Sequence, residues 1–161
     1  MLPPIQVSQT PESKFREYLA SRPRPQRYTT PQREMVRFIF SSHNHFDAER
    51  LCEDLDRAGL TISRATVYRT LAKLVDAGLL RRLQVGPRVV YEHDYGYPQH
   101  EHLYCESCHE MIEFQSPELE AVYQEVCRQH GFQPSSRTLV IRGMCARCNR
   151  SRTTKRRLDL V

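Results

Sequence analysis

The sequence predicts an α+β chain in two parts, an N-terminal winged helix-turn-helix domain followed by a small α/β domain. Three observations carry that reading. Two helix-patterned stretches are joined by a short glycine-containing turn and followed by an alternating hairpin, "LLRRLQVGPRVVYE" at 79–92. Composition then changes at "HDYGYPQ", 93–99. Beyond it, short strand-like runs surround one helix and are bracketed by two C-x-x-C pairs, "CESC" at 105–108 and "CARC" at 145–148.

The elements follow in order. Residues 1–26 form a Pro/Arg-rich N-terminal extension in which "SRPRPQR" cannot be a helix interior, while "ESKFREYLA" has Phe15, Tyr18 and Leu19 on one face of a short helix. Thr30-Pro31 reads as a helix start, with Met35, Ile39 and Phe40 as its buried stripe. A second helix starts at Asp47, buries Ala48, Leu51, Cys52 and Leu55, and stops at Ala58-Gly59. A third is capped by Ser63, turns Val67, Leu71, Leu74 and Val75 inward, and stops at Gly78. After the hairpin come strands at "HLY" and "MIEF", a helix from Ser116-Pro117 with an apolar stripe of Leu119, Val122, Tyr123, Val126 and Cys127, and a strand at "RTLVIRG". Cys52 and Cys127 lie on apolar stripes and read as packing residues. The boundaries are 27–92 for the winged-helix domain, 93–97 for a hinge, 98–152 for the second domain and 153–161 for a basic tail.

Charge separates the same parts. Residues 1–88 hold 15 Lys/Arg against 9 Asp/Glu, 89–142 hold 3 against 9, and 143–161 hold 6 against 1. A cationic front suits a polyanion, and an acidic middle with histidines suits hard or borderline cations. No apolar run approaches a bilayer span and no secretory leader is evident, so a cytoplasmic location is expected. In that reducing setting, neighbouring cysteines point to a metal before a disulfide.

With Val67, Leu71 and Leu74 inward, Thr66, Arg69 and Lys73 occupy the open side of the third helix and Tyr68 its flank. A polar, cationic and aromatic face near a helix N-terminus is what enters a major groove, although a plain solvated face has the same composition. Lys14, Arg16, Arg22, Arg24 and Arg27 are candidate phosphate or minor-groove contacts.

Two kinds of metal ligand are present. Cys105, Cys108, Cys145 and Cys148 are spaced to converge on one closed tetrahedral structural Zn(2+), against the rival readings of a redox pair or reversible disulfides. His100 and His102, two apart in a strand, face one side; Glu113 follows on the next strand and Glu92 ends the hairpin. That N/O set suits reversible Fe(II), Mn(II), Ni(II) or Zn(II).

The motifs "YTTPQR", "HFDAERL", "ISRATVYRTLAKLVDAGLL", "VVYE", "HEHLYCESCHEMIEF" and "GMCARC", in this order, resemble the ferric uptake regulator family over about residues 27–148. The resemblance implies a homodimer that represses metal-homeostasis genes at palindromic operators in double-stranded DNA, with 98–152 as the dimerisation and metal-binding domain. It implies structural zinc on the four cysteines and a regulatory site of His45, Glu92, His100, His102 and Glu113, one ion joining the two domains. It implies that Tyr68 and Arg69 contact DNA. Many relatives hold a further metal where this chain has Gln99, Glu101, Glu120 and Arg137; a guanidinium cannot coordinate metal, so Arg137 is expected to pair with Glu101 or Glu120 and leave that third site metal-free. In the family it resembles, zinc sensors typically bring a cysteine into the regulatory site and peroxide sensors typically carry aspartates where this chain has Glu92 and Glu113, so the resemblance implies Fe(2+) as the regulatory ion, with Mn(2+) or Zn(2+) as alternatives. A non-enzymatic regulator is expected. The competing classes are a zinc hydrolase built on His100 and His102, which leaves the helix-turn-helix unexplained, and an RNA-binding zinc module, which lacks a stacking platform.

Overall fold

The computed structural model describes residues 3–150, and the basic tail at 153–161 lies outside them. The chain divides into two compact units, Pro3–Pro98 and one beginning at Gln99. The first contains α1 (Pro11–Ser21), α2 (Thr30–Phe40), α3 (Ala48–Arg57), α4 (Arg64–Asp76) and an antiparallel hairpin of β1 (Leu80–Val85) and β2 (Arg88–His93). The second contains β3 (Glu101–Cys105), β4 (Met111–Phe114), α5 (Pro117–Gln129) and β5 (Val140–Gly143). Among the described residues, no helix is long and apolar enough to cross a membrane. The fold is α+β, a winged helix-turn-helix followed by a small α/β unit.

Side-chain caps start the helices of the first unit. Asp47 accepts from the Arg50 N–H at 2.8 Å and Ser63 from the Thr66 N–H at 3.3 Å. In α2 the cap is Thr29 rather than Thr30, because Gln32 reaches back to the Thr29 N–H at 3.0 Å and closes a capping box one residue earlier than expected. Gly59 follows α3 at φ +75° and Gly86 turns the hairpin at φ +61°, left-handed conformations that side-chain-bearing residues rarely adopt.

The core of this unit joins Met35, Val36, Ile39, Leu55, Val67, Leu71, Leu74, Leu79 and Leu80, all nearly or completely buried. Val36 takes the buried position expected of Phe40; Phe40 is half-buried and its ring stacks on His93 at 4.5 Å. Residues 1–26 were expected as an extension, yet Phe15 and Leu19 of α1 are completely buried in the same core, with Tyr28 edge-on to Phe15 at 5.6 Å.

The segment expected as a hinge, 93–97, is bonded along its length to the first unit. His93 ends β2, with its Nε2 3.1 Å from the Ile39 carbonyl. Asp94 pairs with Arg81. The Tyr95 hydroxyl donates to the Gln9 carbonyl at 3.2 Å, and its ring lies 4.0 Å from Lys14 Nζ. The Ile5 N–H donates to the Gly96 carbonyl at 2.8 Å, and Tyr97 stacks on His43 at 3.9 Å.

In the second unit β3 is central, antiparallel to β4 and parallel to β5. Residues directly opposite share a sheet face. His102 thus shares one face with Glu113 and Val140, and Leu103 shares the other with Ile112 and Ile141. These last three are 39%, 42% and 48% exposed, and Val122 and Val126 of α5 are exposed as well. The apolar stripe of α5 exists, but the chain by itself does not bury it.

Candidate metal centres and the nucleic-acid face

The four paired cysteines converge, each offering a sulfur within 4.8 Å of the others. Cys105 ends β3 and Cys108 lies in the following turn, which His109 closes at φ 62° with its N–H on the Cys105 carbonyl. Cys145 and Cys148 follow β5, the strand parallel to β3, so the sheet brings the pairs together across 36 intervening residues. Cys108 Sγ and Cys145 Sγ are 3.8 Å apart. A tetrahedron with ~2.3 Å metal–sulfur bonds has edges of about 3.8 Å, so the donor set fits a tetrahedral thiophilic ion. The Cys145 N–H donates to the Cys105 sulfur at 3.3 Å, a contact that favours the thiolate such an ion needs. All six cysteines are free thiols; Cys52 is buried among apolar neighbours.

Each unit also carries nitrogen and oxygen donors. In the first, Phe46 and Tyr91 exchange backbone hydrogen bonds at 3.1 and 2.7 Å, and this isolated bridge places His45 beside Glu92. Their side chains meet with Nε2 3.1 Å from Oε2. The Glu92 carboxylate is 2% exposed, and Arg81 Nη1 lies 3.6 Å from its other oxygen. In the second unit His100 and His102 are buried, with ring centroids 4.8 Å apart, and Glu113 is half-buried opposite His102. Both donor sets suit borderline or hard divalent ions.

Arg137 stands where a further ligand would be needed. Its Nε donates to Glu101 Oε1 at 3.0 Å, its Nη1 donates to Glu120, and its guanidinium lies 4.9 Å from the Tyr123 ring centroid. The second Glu101 oxygen accepts the Leu139 N–H at 3.1 Å. Glu101 is thus a buried carboxylate neutralised by a fixed cation.

On α4, Tyr68 and Arg69 are exposed, and Thr66 and Lys73 are half-buried. The Thr66 hydroxyl is 2.9 Å from that of Ser63, so it takes part in the helix cap. Arg27 is exposed between α1 and α2. The sequence reading missed Arg64, one turn before Tyr68 on the same face, which pairs with Glu49 of α3. Its only signal was position i−4 from Tyr68; the acidic partner becomes visible only when α3 and α4 pack.

The ferric uptake regulator family pattern matches residues 24–142. A ferric uptake regulation protein of Neisseria meningitidis is 34% identical over 114 residues, which cover 68% of this chain and 78% of its own. A structure of the Pseudomonas aeruginosa ferric uptake regulator with manganese is similar at 28% identity and a TM-score of 0.71, over 86% of this chain and 99% of that one. One of the Francisella tularensis ferric uptake regulator with iron is similar at 28% identity and a TM-score of 0.69, over 77% and 95%. The family pattern runs through residues of both units, and the chain belongs to the ferric uptake regulator family of metal-responsive regulators.

Proposed function

We propose that this regulator is an Fe(2+)-responsive repressor, in which His45 and Glu92 of the first unit and His100, His102 and Glu113 of the second ligate one cation together. The observation that carries the reading is the burial of Glu92, His100 and His102, an N/O donor set divided between a DNA-binding unit and its neighbour. A divalent cation on those five residues supplies a tether between the units. His45 precedes α3 and Glu92 ends the wing, so fixing them fixes the body that carries α4. Family regulators bind DNA and form dimers. The exposed Leu103, Ile112 and Ile141 face is the surface a second copy covers, and a dimer presents two α4 helices to the half-sites of a palindrome. Turning a mostly incompetent ensemble into a mostly competent one needs a preference of up to ~5.5 kcal/mol for the tethered state.

The donor set favours iron, with manganese next, since it contains no thiolate to select a softer ion. Cys105, Cys108, Cys145 and Cys148 hold Zn(2+) as a permanent staple, contributing on the order of 10 kcal/mol to folding of the second unit. No reaction is assigned; the protein acts by binding.

The test is an anaerobic titration of palindromic duplexes, selected from a random pool, with Fe(II), Mn(II) and Zn(II) in parallel. Fe(II) or Mn(II) at the lowest concentration should promote binding. His45→Ala should lose that dependence while keeping one zinc per protomer and the dimer. Metal-dependent binding unchanged in His45→Ala would refute the shared site.

A further inference from the structure

Glu49 lies on the first turn of α3, yet both of its carboxylate oxygens are engaged by α4. Oε1 accepts from the Tyr68 hydroxyl at 2.6 Å, and Oε2 accepts from Arg64 Nη1. Arg64 and Tyr68 are four residues apart, so their tips emerge from one helical face. All three side chains are exposed, Glu49 to 57% and Arg64 to 68%. Capping of α3 falls to Asp47, which leaves Glu49 without that role. An exposed ion pair contributes only ~0–1 kcal/mol to stability, so folding gives little reason for the arrangement.

Its surroundings give a better one. Glu49 and Tyr68 line a cleft of about 470 Å³ together with Arg82 and Arg88 of the hairpin. Arg88 is itself paired with Asp47 at 2.6 Å. Arg88 is thus tied to a carboxylate at the α3 N-terminus, as Arg64 is to Glu49, and Arg82 adds a second cation to the cleft wall, a combination that suits a phosphate backbone. Guanidinium and phenol hydroxyl groups are donors of the kind that phosphate oxygens accept from, and here both are occupied by Glu49. Hydrogen bonds from Tyr68 and Arg64 hold the Glu49 carboxyl below the usual range, so it stays charged at neutral pH.

We propose that Glu49 competes with DNA phosphate for Arg64 and Tyr68 and thereby sets an upper limit on the affinity of this face for duplex DNA. Engaging a phosphate requires both donors to leave Glu49, and the stranded carboxylate then faces the polyanion. Such a brake keeps basal binding weak, so that changes elsewhere in the protein decide occupancy. The inference rests on the reading of α4 as the DNA-facing helix.

The experiment uses the full-length, Mn(II)-loaded protein and a fluorescent random-sequence duplex of about 30 base pairs, titrated between about 50 and 200 mM salt. Glu49→Gln keeps an acceptor for Tyr68 and removes the charge. It should bind ~3–10-fold more tightly at the lower salt, and its log K against log salt should be steeper by ~1. Glu49→Ala should shift in the same direction. Glu118→Gln, which makes the same change in net charge on the second unit, should leave both quantities at wild-type values. The proposal is overturned if Glu49→Gln matches or falls below wild-type affinity, or if Glu118→Gln tightens binding as much. A wild-type protein that ignores the duplex at every salt concentration would instead remove the DNA-binding reading, and the inference with it.

Discussion

At the scale of single residues, the most consequential side chain outside the ligand sets is Arg137. It neutralises Glu101, whose carboxylate is 3% exposed, and engages Glu120 on α5 at the same time. Arg137→Ala would strand a buried charge that retains only the Leu139 N–H, and removing one partner of such a pair is far costlier than losing an exposed bridge. Because Arg137 itself is a quarter exposed, a destabilisation of about 2–3 kcal/mol is expected, below the value for a fully buried pair. Arg137→His should recover part of that loss only when Co(II) or Zn(II) is added, since an imidazole beside two carboxylates is a ligand set and a guanidinium is not. Denaturant unfolding with and without Co(II) checks both expectations; a destabilisation under ~0.5 kcal/mol in Arg137→Ala would remove the fixed-charge role. The chemistry of this residue was legible in the sequence, because no arrangement makes guanidinium a ligand. Its partners needed only one choice between two nearby glutamates, and the structure uses both.

Among the elements, legibility followed how local the determining physics is. The inward face of α4 could be read because helical periodicity fixes it, and Val67, Leu71 and Leu74 are completely buried. The convergence of the cysteines could be read because two pairs of thiolates have few other uses in one small domain. The α2 cap was read one residue late: Thr29 and Thr30 are chemically alike, and only the reach of Gln32 to the Thr29 N–H separates them. The role of α1 was not legible, since its two core residues, Phe15 and Leu19, lie in a short helix flanked by prolines, and nothing local says what they pack against. The contacts of 93–97 were hidden for the same reason. Glycine and proline there announce a turn, while the contacts with Ile5, Gln9 and Lys14 come from more than 80 positions away. The contacts of Ile5 and Gln9 make the stretch before α1 a strap over residues 95–96. Removing residues 1–9 should leave the first unit folded, because Phe15 and Leu19 stay in its core. Local opening around Tyr95–Tyr97 should become easier by about 1.4 kcal/mol, seen as roughly tenfold faster amide hydrogen exchange there. Exchange at the wild-type rate would show that the strap carries no restraint.

At the scale of the whole molecule, two kinds of donor are distributed differently. Sulfur donors sit together within the second unit, where β3, the turn after it and the helical stretch after β5 supply all four. Four thiolates close a tetrahedral shell, which is the basis for the proposed structural role. Nitrogen and oxygen donors occur on both units, His45 and Glu92 on the first and His100, His102 and Glu113 on the second, and under the proposal that they share one ion, its occupancy would change geometry. The division could be read in the sequence only through the family resemblance, because His45 lies 47 residues before Glu92 and nothing in the spacing connects them. The exposed apolar face of Leu103, Ile112 and Ile141 and the exposed Val122 and Val126 belong to this scale too, as the surface the proposed dimer would bury. By reciprocity, DNA should tighten binding of the regulatory ion by the factor with which the ion tightens DNA. The most direct test of the shared site is anomalous scattering from crystals of the Mn(II)-loaded protein. The account predicts one manganese per protomer within about 2.3 Å of donor atoms from His45 and Glu92 and, at the same ion, from His100, His102 and Glu113. A manganese held by His100, His102 and Glu113 alone, with His45 in solvent, would contradict it.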